Sequence, residues 1–294
     1  MLRLMKAELY KLFKGRAFKT LCVVAVVLGI LLVGITSIIT EDFLMDSLGD
    51  VPQAQKEQMI TELKSMGSSD SVVVAGQLGY NTNGVKDMFK VTGQEVFHVA
   101  FGSGVAEVLI AILVASMMAK EYTQGTIKNT LAYGKRRDHF YIAKLIAISI
   151  GVAIILAIMT IIPTIIITIK NGWGGSFEIS QLLNIIGVYL GATVVYSAIA
   201  AVIMLLATIL KSNGATIGIS MGIFVFVPTI LGFLYGKLDW FDAIYEKTLF
   251  YSSALATSIL STSKDVITAT IIGAVTLVIA TICAIAIFKK QDIK

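Results

Sequence analysis

Ile179 to Leu210 reads ISQLLNIIGVYLGATVVYSAIAAVIMLLATIL, without one Asp, Glu, Lys or Arg. About 20 apolar residues in helical form cross the hydrocarbon core of a bilayer. Backbone in lipid must satisfy its own hydrogen bonds, and the run lacks the two-residue alternation of a barrel strand, so it predicts a membrane-crossing helix. Five further runs surround it: Thr20 to Thr40, Val99 to Ala119 (interrupted once by Glu107), Leu145 to Ile169, Ser212 to Gly236 and Val266 to Phe288. The pattern predicts an all-α membrane protein with six transmembrane helices occupying residues 20–294. The third and fourth runs exceed a perpendicular span and predict tilt or extension past the membrane. Pro163 and Pro228 predict kinks in the third and fifth. Composition agrees, because 56% of the 294 residues are hydrophobic, only 15% are charged, and the mean hydropathy is +0.84. A soluble domain carries about 25% charged residues. Soluble enzymes, disordered chains and disulfide scaffolds are thereby excluded. The two cysteines, Cys22 and Cys283, lie in apolar runs and read as small buried hydrophobes.

Six spans put both termini on one side, and cytoplasmic loops are enriched in Lys and Arg. The N-terminal segment, the loop after the second span, the short fourth-to-fifth connection and the tail carry 16 of the 24 basic residues. The opposite side carries the other 8, together with 14 of the 19 acids. Both termini are therefore expected in the cytoplasm, with the chain in the cell membrane. The net charge of +5 follows this loop bias, so no nucleic-acid partner is expected. The first 40 residues do not read as a cleavable signal peptide, since their apolar core runs to 21 residues and no small-x-small site closes it.

Residues 1–19 set Leu2, Met5, Leu9, Leu12 and Phe13 opposite Arg3, Lys6, Lys11 and Lys14 at helical spacing. This predicts an amphipathic interface helix on the inner membrane surface, a topology-setting flank, or both. Residues 41–97 form an outer cap with nine acids against four Lys, a helix-like stretch from Phe43 through Met66, and Gly/Ser/Asn-rich connections. It reads either as a gate with a cation-attracting rim or as a loop kept soluble by its acids. Residues 237–265 hold Trp240, Phe241, Tyr245, Phe250 and Tyr251, too apolar for an ordinary exposed loop. They predict two short re-entrant outer helices before the sixth span. Gly187 with Gly191, and Gly214, Gly218 and Gly222, recur every fourth residue and predict close helix packing, within the chain or against a second copy.

No enzymatic constellation is present. His98 and His139 fall on opposite sides of the predicted membrane, and neither a His-Glu-x-x-His nor a Cys-x-x-Cys occurs, so no metal is expected. Gly102-Ser103-Gly104 lacks a base other than His98. With no Gly-x-x-x-x-Gly-Lys-Ser/Thr loop, any ATP is bound by another subunit. Glu107 is the single carboxylate inside an apolar run. It reads as a proton or cation pathway residue, as a group making a structural hydrogen bond to a neighbouring Ser or Thr, or as a position nearer the outer interface.

The loop at residues 119–139 opens AKEYTQGTIKNTLAYGKRR. It is too short for a domain and suited to inserting two amphipathic turns into a cleft on a soluble partner. It resembles the coupling-loop signature of type-2 ATP-binding-cassette (ABC) exporter permeases, in the branch of bacitracin, lantibiotic and peptide-toxin transporters. Lys6-Ala7-Glu8-Leu9-Tyr10-Lys11-Leu12 is similar to the opening interface helix of that family. The resemblance implies a cytoplasmic coupling helix in which Glu121, Gly125, Thr126, Lys128, Asn129, Leu131 and Gly134 contact an ATPase subunit. Gly125 would permit the tight entry, Thr126 would cap the helix, and Ile127 with Leu131 would offer apolar anchors. Whether Arg136 or Arg137 takes the family's arginine role stays open. The resemblance further implies separate ABC ATPase subunits holding ATP and Mg, a second permease, and export between the permeases; the pair is taken as a homodimer for simplicity, and non-identical pairs are common in that branch. The acidic outer face and apolar spans favour amphipathic or cationic peptides, toxins or antimicrobial peptides, as cargo. A proton-coupled secondary transporter centred on Glu107 and a non-transporting membrane anchor or sensor are the alternatives.

Overall fold

The computed structural model describes residues 1–66, 71–127, 136–176 and 178–291. Among them the chain is helical, with no strand and one isolated antiparallel bridge, Gly79 to Ser103. Five described helices are long and apolar enough to cross a bilayer: Arg16–Ile38, Arg137–Asn171, Ile179–Leu210, Asn213–Gly232 and Ser263–Lys290. The chain thus reads as a multi-pass membrane protein. Its exposed surface agrees: Val23, Val27, Ile30, Phe226, Ile230, Ile267, Ile271, Val275 and Ile282 are each roughly half exposed or more. Apolar surface of that extent is stable against lipid and not against water.

The amphipathic helix α1 (Leu2–Lys14) meets α2 (Arg16–Ile38) at Gly15, whose extended backbone makes a corner. Its amide caps α1 by donating to the Lys11 and Leu12 carbonyls at 2.9 and 3.2 Å. A Cβ there would sit 2.8 Å from the Lys11 carbonyl oxygen, so the corner requires glycine. The helix α2 begins at Arg16, four residues before the apolar run, because long basic side chains carry their charge out of the apolar layer along their stems.

The helix-like stretch from Phe43 through Met66 is two helices, α3 (Glu41–Ser47) and α4 (Gln53–Met66). Gly49, in the left-handed region at φ +53°, and Pro52 separate them. The run from Val99 to Ala119 is also divided. Helix α5 (Gly93–Val99) ends in a break at residues 100–104, where Gly102 and Gly104 have φ of +58° and +82°. Helix α6 (Val105–Val114) follows, then a π turn (Ala115–Ala119) and α7 (Lys120–Thr123). Paired glycines either side of Ser103 favour the turn, and the bridge to Gly79 fastens the outer cap to it.

Helix α8 (Arg137–Asn171) has 35 residues and runs unbroken through Pro163. At 1.5 Å per residue it is about 52 Å long, well beyond the roughly 30 Å hydrocarbon core. Gly29 of α2 packs on the proline ring, where a Cβ would lie 3.2 Å from Pro163 Cδ. Helix α9 (Ile179–Leu210) ends at Lys211 in the left-handed conformation. The fifth run is α10 (Asn213–Met221), a π turn (Gly222–Phe226) and α11 (Val227–Gly232), so Pro228 is accommodated by a widened turn before it. Two short helices, α12 (Asp239–Tyr245) and α13 (Leu249–Thr257), precede α14 (Ser263–Lys290). The core lies between α6, α8 and α9, with Ile110, Leu113, Met118, Ile148, Val152, Ile155, Ile199 and Met204 buried. Cys22 is half-buried, but Cys283 is exposed on the outside of α14, not a buried hydrophobe.

Candidate functional site

Glu8 is the only acid in the first 40 residues, and α1 turns it inward until 1% of it is exposed. Lys144, in the second turn of α8, is fully buried. Its ammonium lies 2.7 Å from Glu8 Oε2 and 2.9 Å from the Met117 carbonyl oxygen. It also lies over the Phe140 ring, 5.1 Å from the centroid. Met117 sits in the π turn, where the regular hydrogen-bond ladder is loosened. Lys11 completes the group by donating to Glu8 Oε1 at 2.7 Å and to Glu121 Oε1 at 2.9 Å. Glu121 Oε2 closes the ring 3.0 Å from Lys144, as a charge contact without hydrogen-bond alignment.

Two carboxylates and two ammonium groups therefore form a neutral ring joining α1, α7 and α8. An isolated charge in such a place would be expelled, so the ring survives as a unit. Burial pushes the Glu8 carboxyl up, but Lys144 and Lys11 outweigh it and hold the group below the usual carboxylate value. Burial pushes Lys11 down, and Glu8 with Glu121 outweigh it and hold the ammonium above its ordinary value.

The Glu121 side chain is 14% exposed and pairs with Lys11 and Lys144. Gly125 takes φ +67°, and a Cβ there would meet nothing within 4 Å among the described residues, so its backbone conformation is what calls for glycine. Thr126 is itself helical and its hydroxyl points back to the Glu121 carbonyl at 3.5 Å; the amides it would cap lie outside the described residues. Ile127 is 1% exposed and packs in the chain's own core. Lys128, Asn129, Leu131 and Gly134 lie outside the described residues. Beyond the loop, Arg136 pairs with Asp138 on the surface at 2.6 Å. Arg137 donates to the Phe288, Lys289 and Gln291 carbonyls at 2.8–2.9 Å and lies over the Phe288 ring. A cation at the C-terminal end of α14 complements the helix dipole.

The other predicted residues do not join this site. Glu107, in the first turn of α6, is 4% exposed, and its Oε2 has no hydrogen-bond partner among the described residues. Gly191 packs α9 onto α14, since a Cβ there would meet Thr270 Oγ1 at 2.7 Å and Val266 Cγ1 at 2.9 Å. At Gly187, Gly214, Gly218 and Gly222 a Cβ would meet nothing within 4 Å among the described residues. His98 Nδ1 lies 3.0 Å from the Thr257 carbonyl oxygen; His98 and Ser103 line one small cavity with no hydrogen bond between them. Among the described residues no three metal-ligating side chains converge.

Sequence reasoning missed Lys144 by counting it with the loop cations. The signal was present: Phe140-Tyr141-Ile142-Ala143 precedes it, so the apolar segment has begun before the lysine.

No curated protein matches the chain. The family profile DUF2705, described as a protein of unknown function, matches residues 63–294 and so covers α5 through α14. The chain belongs to the DUF2705 family.

Proposed function

We propose that this protein is the permease subunit of an ABC exporter, with ATP and Mg bound by separate ATPase subunits. The observation that carries the reading is the buried ring. The segment leading into the 119–139 loop is tied by Glu121 to the N-terminal helix and to the base of α8. A push on that loop is therefore passed to two helices at once, and one of them crosses the membrane. Such a linkage suits a cycle in which partner closure biases the spans between two arrangements.

In this reading the divided helix from Gly93 to Thr123 supplies the second of six spans, both termini are cytoplasmic, and α12 and α13 dip into the outer leaflet of the cell membrane. Two copies enclose the exit route, and the cargo is an amphipathic or cationic peptide. The coupling helix is built from Gly125, Thr126, Lys128, Asn129, Leu131 and Gly134, with Ile127 and Glu121 holding it to the bundle.

The test is a pull-down of the full chain from its native membrane in mild detergent, followed by mass spectrometry. An ATPase subunit is expected with wild type and is expected to be lost from Gly125→Pro/Leu131→Asp. Its absence from wild type overturns the exporter reading. The carrier reading rests on the unpartnered Glu107 Oε2. It predicts at least a 10-fold loss of transport in Glu107→Gln and little change in Gly125→Pro, the reverse of what an ATP-driven permease gives.

A further inference from the structure

At the Gly15 corner, α1 and α2 open a pocket of about 550 Å³ against the π turn and α7. Its rim carries Lys11, Arg16 and Lys120, and its floor is Leu12, Phe18 and Met117. The single acid lining it, Glu121, is already matched by Lys11 and Lys144. Arg16 and Lys120 are exposed and form no ion pair among the described residues. The rim thus holds two uncompensated positive charges above an apolar floor. Lys11 adds a third donor, because its ammonium has three hydrogens and the two carboxylates take two.

We propose that this corner binds the headgroup of an anionic phospholipid, with the phosphate held by Arg16 and Lys120 and the glycerol and upper acyl chain against Phe18 and Met117. Three observations converge on that occupant. The charge is of the complementary sign, and guanidinium with ammonium is a standard phosphate-binding set. The apolar floor lies directly beneath it, which a soluble anion would leave uncovered. The pocket also sits where an amphipathic helix turns into one long and apolar enough to cross a membrane, the junction at which lipid headgroups are met. Basic pockets between helices on the cytoplasmic side are a recurrent setting for anionic lipid. Assignment to the inner leaflet rests on the orientation proposed above, whereas the pocket's chemistry does not. A bound lipid would brace Lys11 and the segment beside Glu121, coupling membrane composition to the ring.

The experiment uses the full chain in neutral detergent, titrated with phosphatidylglycerol or phosphatidylcholine, and reads thermal unfolding and lipid retention by native mass spectrometry. Phosphatidylglycerol is expected to stabilise wild type and phosphatidylcholine is not. Arg16→Gln/Lys120→Gln is expected to weaken the phosphatidylglycerol effect roughly 30-fold, at about tenfold per 1.4 kcal/mol and about 1 kcal/mol per basic residue. Lys170→Gln/Lys264→Gln, which removes two cations outside the pocket, is expected to behave as wild type. Because the native mass spectra count bound lipid directly, the result does not depend on the two variants unfolding at the same temperature. An undiminished effect in Arg16→Gln/Lys120→Gln, an equal effect of phosphatidylcholine, or full competition by inorganic phosphate alone each overturns the proposal. Outside labelling of Lys14→Cys in intact cells, with Cys22 and Cys283 replaced, would overturn the orientation and the leaflet while leaving the detergent result standing.

Discussion

Glu8→Ala is expected to destabilise the folded chain by about 3 kcal/mol, the lower end of the range for removing one member of a buried ion pair. The loss is large because Lys144 stays fully buried and keeps only the Met117 carbonyl and the looser contact to Glu121. Lys144→Met is expected to cost a similar amount by stranding Glu8 against Lys11 alone. Glu8→Leu/Lys144→Met should recover most of the loss, since apolar residues of similar volume often replace a buried pair without penalty. Unfolding of the purified chain in detergent reads all three. If Glu8→Ala unfolds with wild type, the ring contributes nothing and the mechanical linkage drawn from it fails.

The same ring fixes a pH window. Glu8 is held below its unfolded value, so its contribution is complete above about pH 5 and falls away as the pH drops toward the folded value. Lys11 is held above its unfolded value, so its contribution is complete below about pH 9 and is lost as the pH rises through the folded value. Wild type is expected to show a plateau between these limits. Glu8→Leu/Lys144→Met is expected to show a weaker acid limb.

What the sequence made legible was set by the length scale of each signal. Runs of 20 or more apolar residues survive any packing arrangement, so α2, α8, α9, the fifth run and α14 were all visible, with ends within about four residues except at α8, which begins eight residues before its apolar run. The break at residues 100–104 was carried by the Gly102-Ser103-Gly104 step, whose positive φ values accompany a bridge to the distant Gly79 of the cap. A bridge between residues so far apart has no local signature. The loop at residues 119–139 was visible by its motif, and Gly125 has a positive φ there. Its surroundings were not, because Glu8, Glu121 and Lys144 are brought together from three separate helices. A charge pattern shows that a residue is ionisable and says nothing of whether its counterion waits inside.

Gly191→Leu and Gly218→Leu separate two uses of the same small-residue pattern. At Gly191 a first carbon would already press on Thr270 Oγ1 and Val266 Cγ1, and leucine adds three more. Helices α9 and α14 must then part, and they share the most extensive helix pairing in the molecule, with Gly273 meeting Val195 one turn farther along. Overpacking of that kind costs about 1–3 kcal/mol, so Gly191→Leu is expected to unfold well before wild type. At Gly218 a new side chain enters open space, as it does at Gly214 and Gly222, so the stability of the single chain is expected to hold within about 0.5 kcal/mol. Three glycines in register on an uncovered face of a membrane-crossing helix form the smooth surface that helices use to approach one another in lipid. No neighbour among the described residues comes within 4 Å of a Cβ placed there. Gly218→Leu is therefore expected to leave unfolding unchanged and to shift the detergent-solubilised mass, read by light scattering, from dimer toward monomer. A dimer that persists in Gly218→Leu removes this face from the proposed permease pair. Destabilisation equal to that of Gly191→Leu would place the face against another part of the same chain.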